Sequence, residues 1–161
     1  MKTPRLPFTL LITCAAFTLL LAAATARAAD TPEPPPRATD PLGPARAQIQ
    51  AKRWNEANSE LRKLNATNSA DWNNLMGFSL RKMSPPDLDG AQRHYDSALR
   101  IDPRHRGALE YSGELALMKG DLAQAEERLA TLSRACSRCE ELDDLKKSVE
   151  KFKANGHRYV P

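Results

Sequence analysis

From Ala45 onward the apolar positions recur at intervals of three and four residues, the spacing of one helix face. Three stretches repeat one another: Arg53-Trp54-Asn55-Glu56-Ala57, Asp87-Leu88-Asp89-Gly90-Ala91 and Asp121-Leu122-Ala123-Gln124-Ala125. Their alanines, 57, 91 and 125, are 34 residues apart both times. Four residues after each alanine stands a bulky apolar residue (Leu61, Tyr95, Leu129), and three further on another apolar one (Leu64, Ala98, Leu132). Self-similarity at this period predicts a helical solenoid. The alanine lets a neighbouring helix come close, and the bulky residues fill the space beside it. A two-helix unit cannot bury such a face alone, so units must stack. The fold class expected is all-α: a short α-solenoid of antiparallel helix pairs.

The pattern stops at both ends. Residues 140–154 form one more expected helix without the repeat columns. Its stripe is Leu142, Leu145, Val149 and Phe152. Acidic residues come first (Glu140, Glu141, Asp143, Asp144) and basic ones later (Lys146, Lys147, Lys151, Lys153), which suits the helix dipole. It reads as a C-terminal capping helix, with residues 155–161 as a tail. At the other end, residues 29–44 carry seven prolines or glycines among Asp, Thr and Arg, and read as a proline-rich disordered linker.

Residues 1–28 change how the charge is read. Lys2 and Arg5 precede an uncharged apolar run, Phe8 to Ala24, and Ala26-Arg27-Ala28 fits a small-x-small cleavage site. This is the pattern of a secretory signal peptide, expected to be removed, with the periplasm as the address. An uncleaved anchor is the competing reading, and Cys14 after Leu11-Ile12-Thr13 faintly resembles a lipoprotein signal. The whole chain has 24 basic and 20 acidic residues, a net charge of +4. Cleavage removes Lys2, Arg5 and Arg27 and no acid, leaving 21 against 20, a net of +1. Neither nucleic-acid binding nor residence on a membrane is expected of the mature chain.

Candidate chemistry is sparse. The sequence has no Gly-rich phosphate loop, no paired-His motif and no nucleophile elbow. His94, His105 and His157 fall on a helix surface, a repeat junction and the tail, and read as solvated histidines. No enzyme activity, cofactor or metal is expected. The exception is Cys136-Ser137-Arg138-Cys139, in what would be an oxidising compartment. Three readings remain open: a local disulfide stapling the last repeat to the capping helix, a thiol pair poised for exchange or metal, and inert reduced cysteines. Haem attachment fails, because Glu140 stands where a His is needed.

The segment 70–105 resembles a tetratricopeptide repeat (TPR). It has Leu75-Met76-Gly77 in a first helix, Leu88 and Ala91 in a second, Tyr95 and Ala98 after them, and Ile101-Asp102-Pro103 at its close. Residues 106–139 look like a second repeat, with Ala108-Leu109, Gly113, Gly120-Asp121-Leu122, Ala125 and Leu129. Residues 45–69 form a partial one, with Trp54, Ala57, Leu61 and Leu64. By the resemblance Gly77 and Gly113 sit where the helices of a pair cross, Gly120 ends its helix with a left-handed turn, and Pro103 stops another. Departures are the extra Ser84-Pro85-Pro86, expected as a protruding turn, a short Asn65–Ser69, and a first helix lacking the Trp-Leu-Gly pattern.

The resemblance implies a concave groove lined by the first helices. Carried over by position, Asp71, Asn74, Phe78 and Arg81 come from the middle repeat, and Glu110, Glu114 and Leu117 from the last. The paired Lys and Asn of the family's carboxylate clamp are unmatched. The expectation is an exported interaction scaffold holding a peptide or protein in this groove. The alternative is a periplasmic thiol-redox or metal-handling protein that uses Cys136 and Cys139.

Overall fold

A computed structural model of the chain describes residues 40–159. The expected signal peptide, Cys14, most of the proline-rich linker and the last two residues lie outside the described residues.

Among the described residues seven helices follow one another: α1 (Gly43–Gln50), α2 (Trp54–Leu64), α3 (Ala70–Lys82), α4 (Leu88–Ile101), α5 (Arg106–Met118), α6 (Leu122–Ala135) and α7 (Glu140–Ala154). No strand occurs among the described residues. Each helix packs on the next, and α1, α3, α5 and α7 also contact one another in series. They form an inner row, with α2, α4 and α6 behind it. This is the all-α solenoid expected from the 34-residue period.

Local chemistry sets the helix ends. Asp87 and Asp121 stand one period apart, and each accepts a backbone N–H of its own helix, from Gly90 at 2.7 Å and Gln124 at 2.9 Å. Arg53, at the same column in the first pair, makes no side-chain cap. Ser69 caps α3 through Trp72 N–H at 3.2 Å. At the other ends, Asn65 (φ 49°) closes α2 and Gly120 (φ 81°) closes α5 in the left-handed region. The inserted Ser84-Pro85-Pro86 lies in the exposed turn between α3 and α4, whose Asp87 N–H returns to the Leu80 carbonyl at 3.0 Å.

The columns behave as close-packed seams. Ala57, Ala91 and Ala125 are 0% exposed, as are Leu61 and Tyr95. Leu129 is half-buried, and Leu64, at the end of α2, is exposed. A Cβ on Gly77 would lie 2.7 Å from the Tyr95 ring, so the glycine admits that ring. Gly113 does similar work against a different partner: a Cβ there would lie 2.7 Å from Leu145 of α7 and 3.4 Å from Arg128 Cβ of α6. Its tightest neighbour is therefore the closing helix. Leu145, Val149 and Phe152 of α7 are buried against Leu109 and Leu117 of α5. Although α7 lacks the repeat columns, it takes the place that the first helix of a further repeat would take.

His94 departs from the surface role expected of it. It is half-buried, its Nδ1–H donates to Asn73 Oδ1 at 3.1 Å, and it meets Trp72 edge-on at 5.6 Å. Burial, with Arg93 and Arg62 nearby, lowers its pKa. Asn73 in turn donates to the carbonyls of Thr67 and Ser69, so His94 ties α4 to the start of α3.

Gly77→Ala should destabilise the protein by about 1–3 kcal/mol, because the rigid Tyr95 ring cannot yield to a new methyl without repacking. Denaturant unfolding with an unchanged m-value checks this.

Candidate functional site

The inner row opens into a cavity of about 410 Å³ bounded by α1, α3, α5 and the start of α7. Four of the seven residues expected to line a groove are found there: Asp71, Asn74, Phe78 and Glu110. The helical repeat explains the selection. Asn74 and Phe78 are one turn apart on α3, and Glu110 lies 36 residues beyond Asn74, in the matching register of α5.

The other three residues stand elsewhere. Leu117 is 1% exposed, in the core beneath α7, and lines no groove. The sequence placed it on the inner face, but the closing helix covers that end of α5. Arg81 is also buried, with only 2% of its side chain exposed, and its Nη1 meets Glu114 Oε2 at 2.7 Å. Ser148 of α7 donates to the other Glu114 oxygen at 3.2 Å. Burial disfavours charge on Arg81, but the neighbouring Tyr95 and Glu114 outweigh it and hold the guanidinium firmly protonated. Arg81, buried, and Glu114, half-buried, thus link α3, α5 and α7 and are engaged with each other.

Phe78 is the centre of an aromatic run. Its ring lies 4.7 Å from Tyr111 and 5.8 Å from Trp54, and Arg81 Cζ stands 5.6 Å from the Phe78 centroid and 5.5 Å from that of Tyr111. Burial, with Glu110 adjacent, pushes the Tyr111 hydroxyl up to about 12. Tyr111 was not among the residues named from sequence. Its signal was the 36-residue register from Leu75, which lines the same cavity.

His105 is another residue whose role the sequence missed. Its Nδ1 accepts the Ala108 N–H at 3.1 Å, so it caps α5. That fixes the tautomer: Nε2 carries the proton and donates to Asp71 Oδ1 at 2.9 Å. Asp71 also lies 3.8 Å from Arg46 of α1. The Asp–His pair bridges two repeats, with the second ring nitrogen held by backbone. His157, in the tail, rests against Phe152 with ring centroids 5.6 Å apart.

Glu110 is the most perturbed acid. It is 8% exposed, and burial, with Glu114, Asp144 and Glu141 nearby, raises its carboxyl pKa to about 8 despite Arg81. Cys136 and Cys139 stand side by side at the α6–α7 junction with their sulfurs within bonding distance, both half-buried against the core of the last repeat. Among the described residues no three His, Cys, Asp or Glu side chains converge to hold a metal ion.

Two stability measurements follow. Arg81→Met should cost about 2–4 kcal/mol, because it leaves a half-buried carboxylate without its counter-charge, whereas the double variant with Glu114→Leu should recover much of that loss; denaturant titration of the three proteins compares them. For Glu110, an acid whose folded pKa lies above its unfolded one holds its proton more tightly when folded. Its contribution to stability therefore falls as pH rises from about 4.5 through about 8. Glu110→Gln should accordingly gain in Tm over the parent, with the gap wider at pH 9 than at pH 5.

The Tetratricopeptide repeat family matches residues 86–148, from the turn before α4 into α7. Comparison with curated proteins finds no match. Among solved structures, the Yersinia enterocolitica type III secretion translocator chaperone SycD superposes with a TM-score of 0.62 at 19% identity, over 72% of this chain and 83% of that one. SycD in complex with a peptide of the translocator YopD gives 0.59 at 20% identity, over 71% of this chain and 88% of that one. Identity this low speaks for the fold alone. The chain thus carries a tetratricopeptide-repeat segment at residues 86–148, within a helical solenoid whose fold from α1 to α7 is that of these chaperones.

Proposed function

We propose that the protein is an exported adaptor that holds an extended segment of another protein along its inner row of helices and performs no chemistry of its own. The observation that carries this is the cavity of about 410 Å³, where a half-buried aromatic pair, Phe78 and Tyr111, adjoins unpaired polar groups. An apolar anchor beside a few placed polar groups is what a peptide groove requires. The chaperone SycD, of similar fold, has been solved with a peptide of the translocator YopD, which supports the same mode of use here.

Export rests on the basic residues Lys2 and Arg5, the apolar run Phe8 to Ala24 and the Ala26-Arg27-Ala28 site. In the periplasm a Cys136–Cys139 bond would persist and act as a staple, holding the end of α6 to the start of α7. The rival reading makes the same pair an exchanging thiol couple. The half-buried setting of both residues against the α5–α7 core favours the staple.

Binding of an arrayed peptide library separates the readings. Phe78→Ala and Tyr111→Ala should each weaken captured peptides at least tenfold while helical circular dichroism is retained. The Cys136→Ser, Cys139→Ser variant should lose stability, by about 2 kcal/mol at most for so short a loop, and bind within twofold of the parent. Binding that survives both ring truncations but vanishes with the cysteines would overturn the proposal. The N-terminal sequence of periplasmic protein should begin at Ala29; an intact Met1 would sink the export claim.

A further inference from the structure

Two side chains lining the cavity lack a protein partner, Asn74 at a fully buried oxygen and Glu110 at a carboxyl open to the cavity. Asn74 is 7% exposed, and its Oδ1 has no hydrogen-bond partner. Glu110 is 8% exposed and faces the same space. The arginines around Glu110 are engaged elsewhere. Arg81 pairs with Glu114 at 2.7 Å, Arg106 with Glu141 at 3.6 Å, and Arg46 with Asp40 at 3.3 Å and Asp71 at 3.8 Å. Among the described residues no side-chain hydrogen bond or ion pair reaches the Glu110 carboxyl, the neighbouring ones going to Glu114 and Glu141. Both unanswered groups are acceptors, so an occupant that satisfies them must bring donors. An apolar or anionic occupant would leave them buried and unpaired.

On the reading of the inner row as a peptide groove, we propose that this cavity is the subsite for an arginine side chain of the bound segment, its guanidinium donating to Glu110 and Asn74 Oδ1 beside the Tyr111 and Phe78 rings. The protein already builds this arrangement once within itself. Arg81 lies over the same two rings and pairs with Glu114, one helical turn from Glu110. A guanidinium has five donors in a plane and stacks on aromatic faces, so it meets both demands of the empty half of the arrangement. Gly107 helps to hold the receiving amide: a Cβ there would lie 2.9 Å from Asn74 Nδ2.

Charge linkage follows from the neighbours. Glu114 on the same helix, Asp144 and Glu141 on α7, and burial all favour the protonated acid, and Arg81 on α3 opposes them. Arg46 of α1, Asp71 of α3, His105 at the cap of α5 and Arg106 of α5 also border the cavity. They are paired with one another or with Asp40 and Glu141. Docking a cation against Glu110 favours its ionised form, so binding should release a proton and tighten as pH rises through about 8.

N-acetyl-arginine amide is the probe, followed by amide chemical shifts of the whole described domain in the full mature chain. Saturable shifts at Asn74, Gly107 and Glu110 are expected, severalfold tighter at pH 9 than at pH 7. Glu110→Gln should weaken the probe at least tenfold and flatten the pH dependence, and Asn74→Asp should tighten it. N-acetyl-norleucine amide should give no saturable shifts at these residues. The inference is overturned if the arginine amide leaves these residues unmoved, binds Glu110→Gln as well as the parent, or is matched by norleucine amide. If that happens while Phe78→Ala and Tyr111→Ala still lose peptide, the groove stands and only the basic anchor falls. If the ring truncations are also silent, the groove falls with it.

Discussion

Each helix pair carries an apolar face that it cannot bury alone, and the architecture answers that deficit. The alanine seams let helices approach, and what lies across each seam differs along the row. At Gly77 the partner is the Tyr95 ring, within the same repeat. At Gly113 it is Leu145, from a helix outside the repeat pattern. Helix α5 therefore depends on α7 as α3 depends on its own outer helix. Without α7, Leu109 and Leu117 would face water.

That dependence also shapes the polar interior. An inner helix flanked on several sides buries residues around most of its circumference, so α3 and α5 bury polar as well as apolar side chains. Arg81 and Glu114 meet this constraint by pairing, with Ser148 on the second carboxylate oxygen. Such a pair adds little net stability over apolar packing, but it fixes the register between inner helices, because either charge alone would be costly. Asn73 and His94 make a neutral version of the same device between α3 and α4. Glu110 is the exception: buried, unpaired and raised toward neutrality. With the unpartnered Asn74 Oδ1 in the same cavity, it marks a place where the molecule is incomplete by itself.

Much of the fold was legible in sequence because its signals are local or periodic. Asp87 and Asp121 announce helix starts, Gly120 announces a left-handed end, and the alanine columns announce the packing period. The groove was only partly legible. Asp71, Asn74, Phe78 and Glu110 share an inner face by helical register alone, and they line the cavity. Arg81, Glu114 and Leu117 share that register too, yet two are locked in an ion pair and the third lies in the core. Periodicity gives the direction of a side chain from its helix axis and nothing about what stands opposite.

The sequence by itself determined that the chain is a short helical solenoid and which residues of the two fuller repeats share a helix face; it did not place the start of α1, which begins at Gly43 inside the expected linker with Leu42 buried. The tertiary structure decided which of those inward residues stay open. That depended on α7 docking as a further inner helix over Leu117, on His105 reaching across a repeat to Asp71, and on Tyr111 meeting Phe78. These contacts join residues more than thirty positions apart, and their energies come from burial and pairing after the row has stacked. No local pattern encodes them.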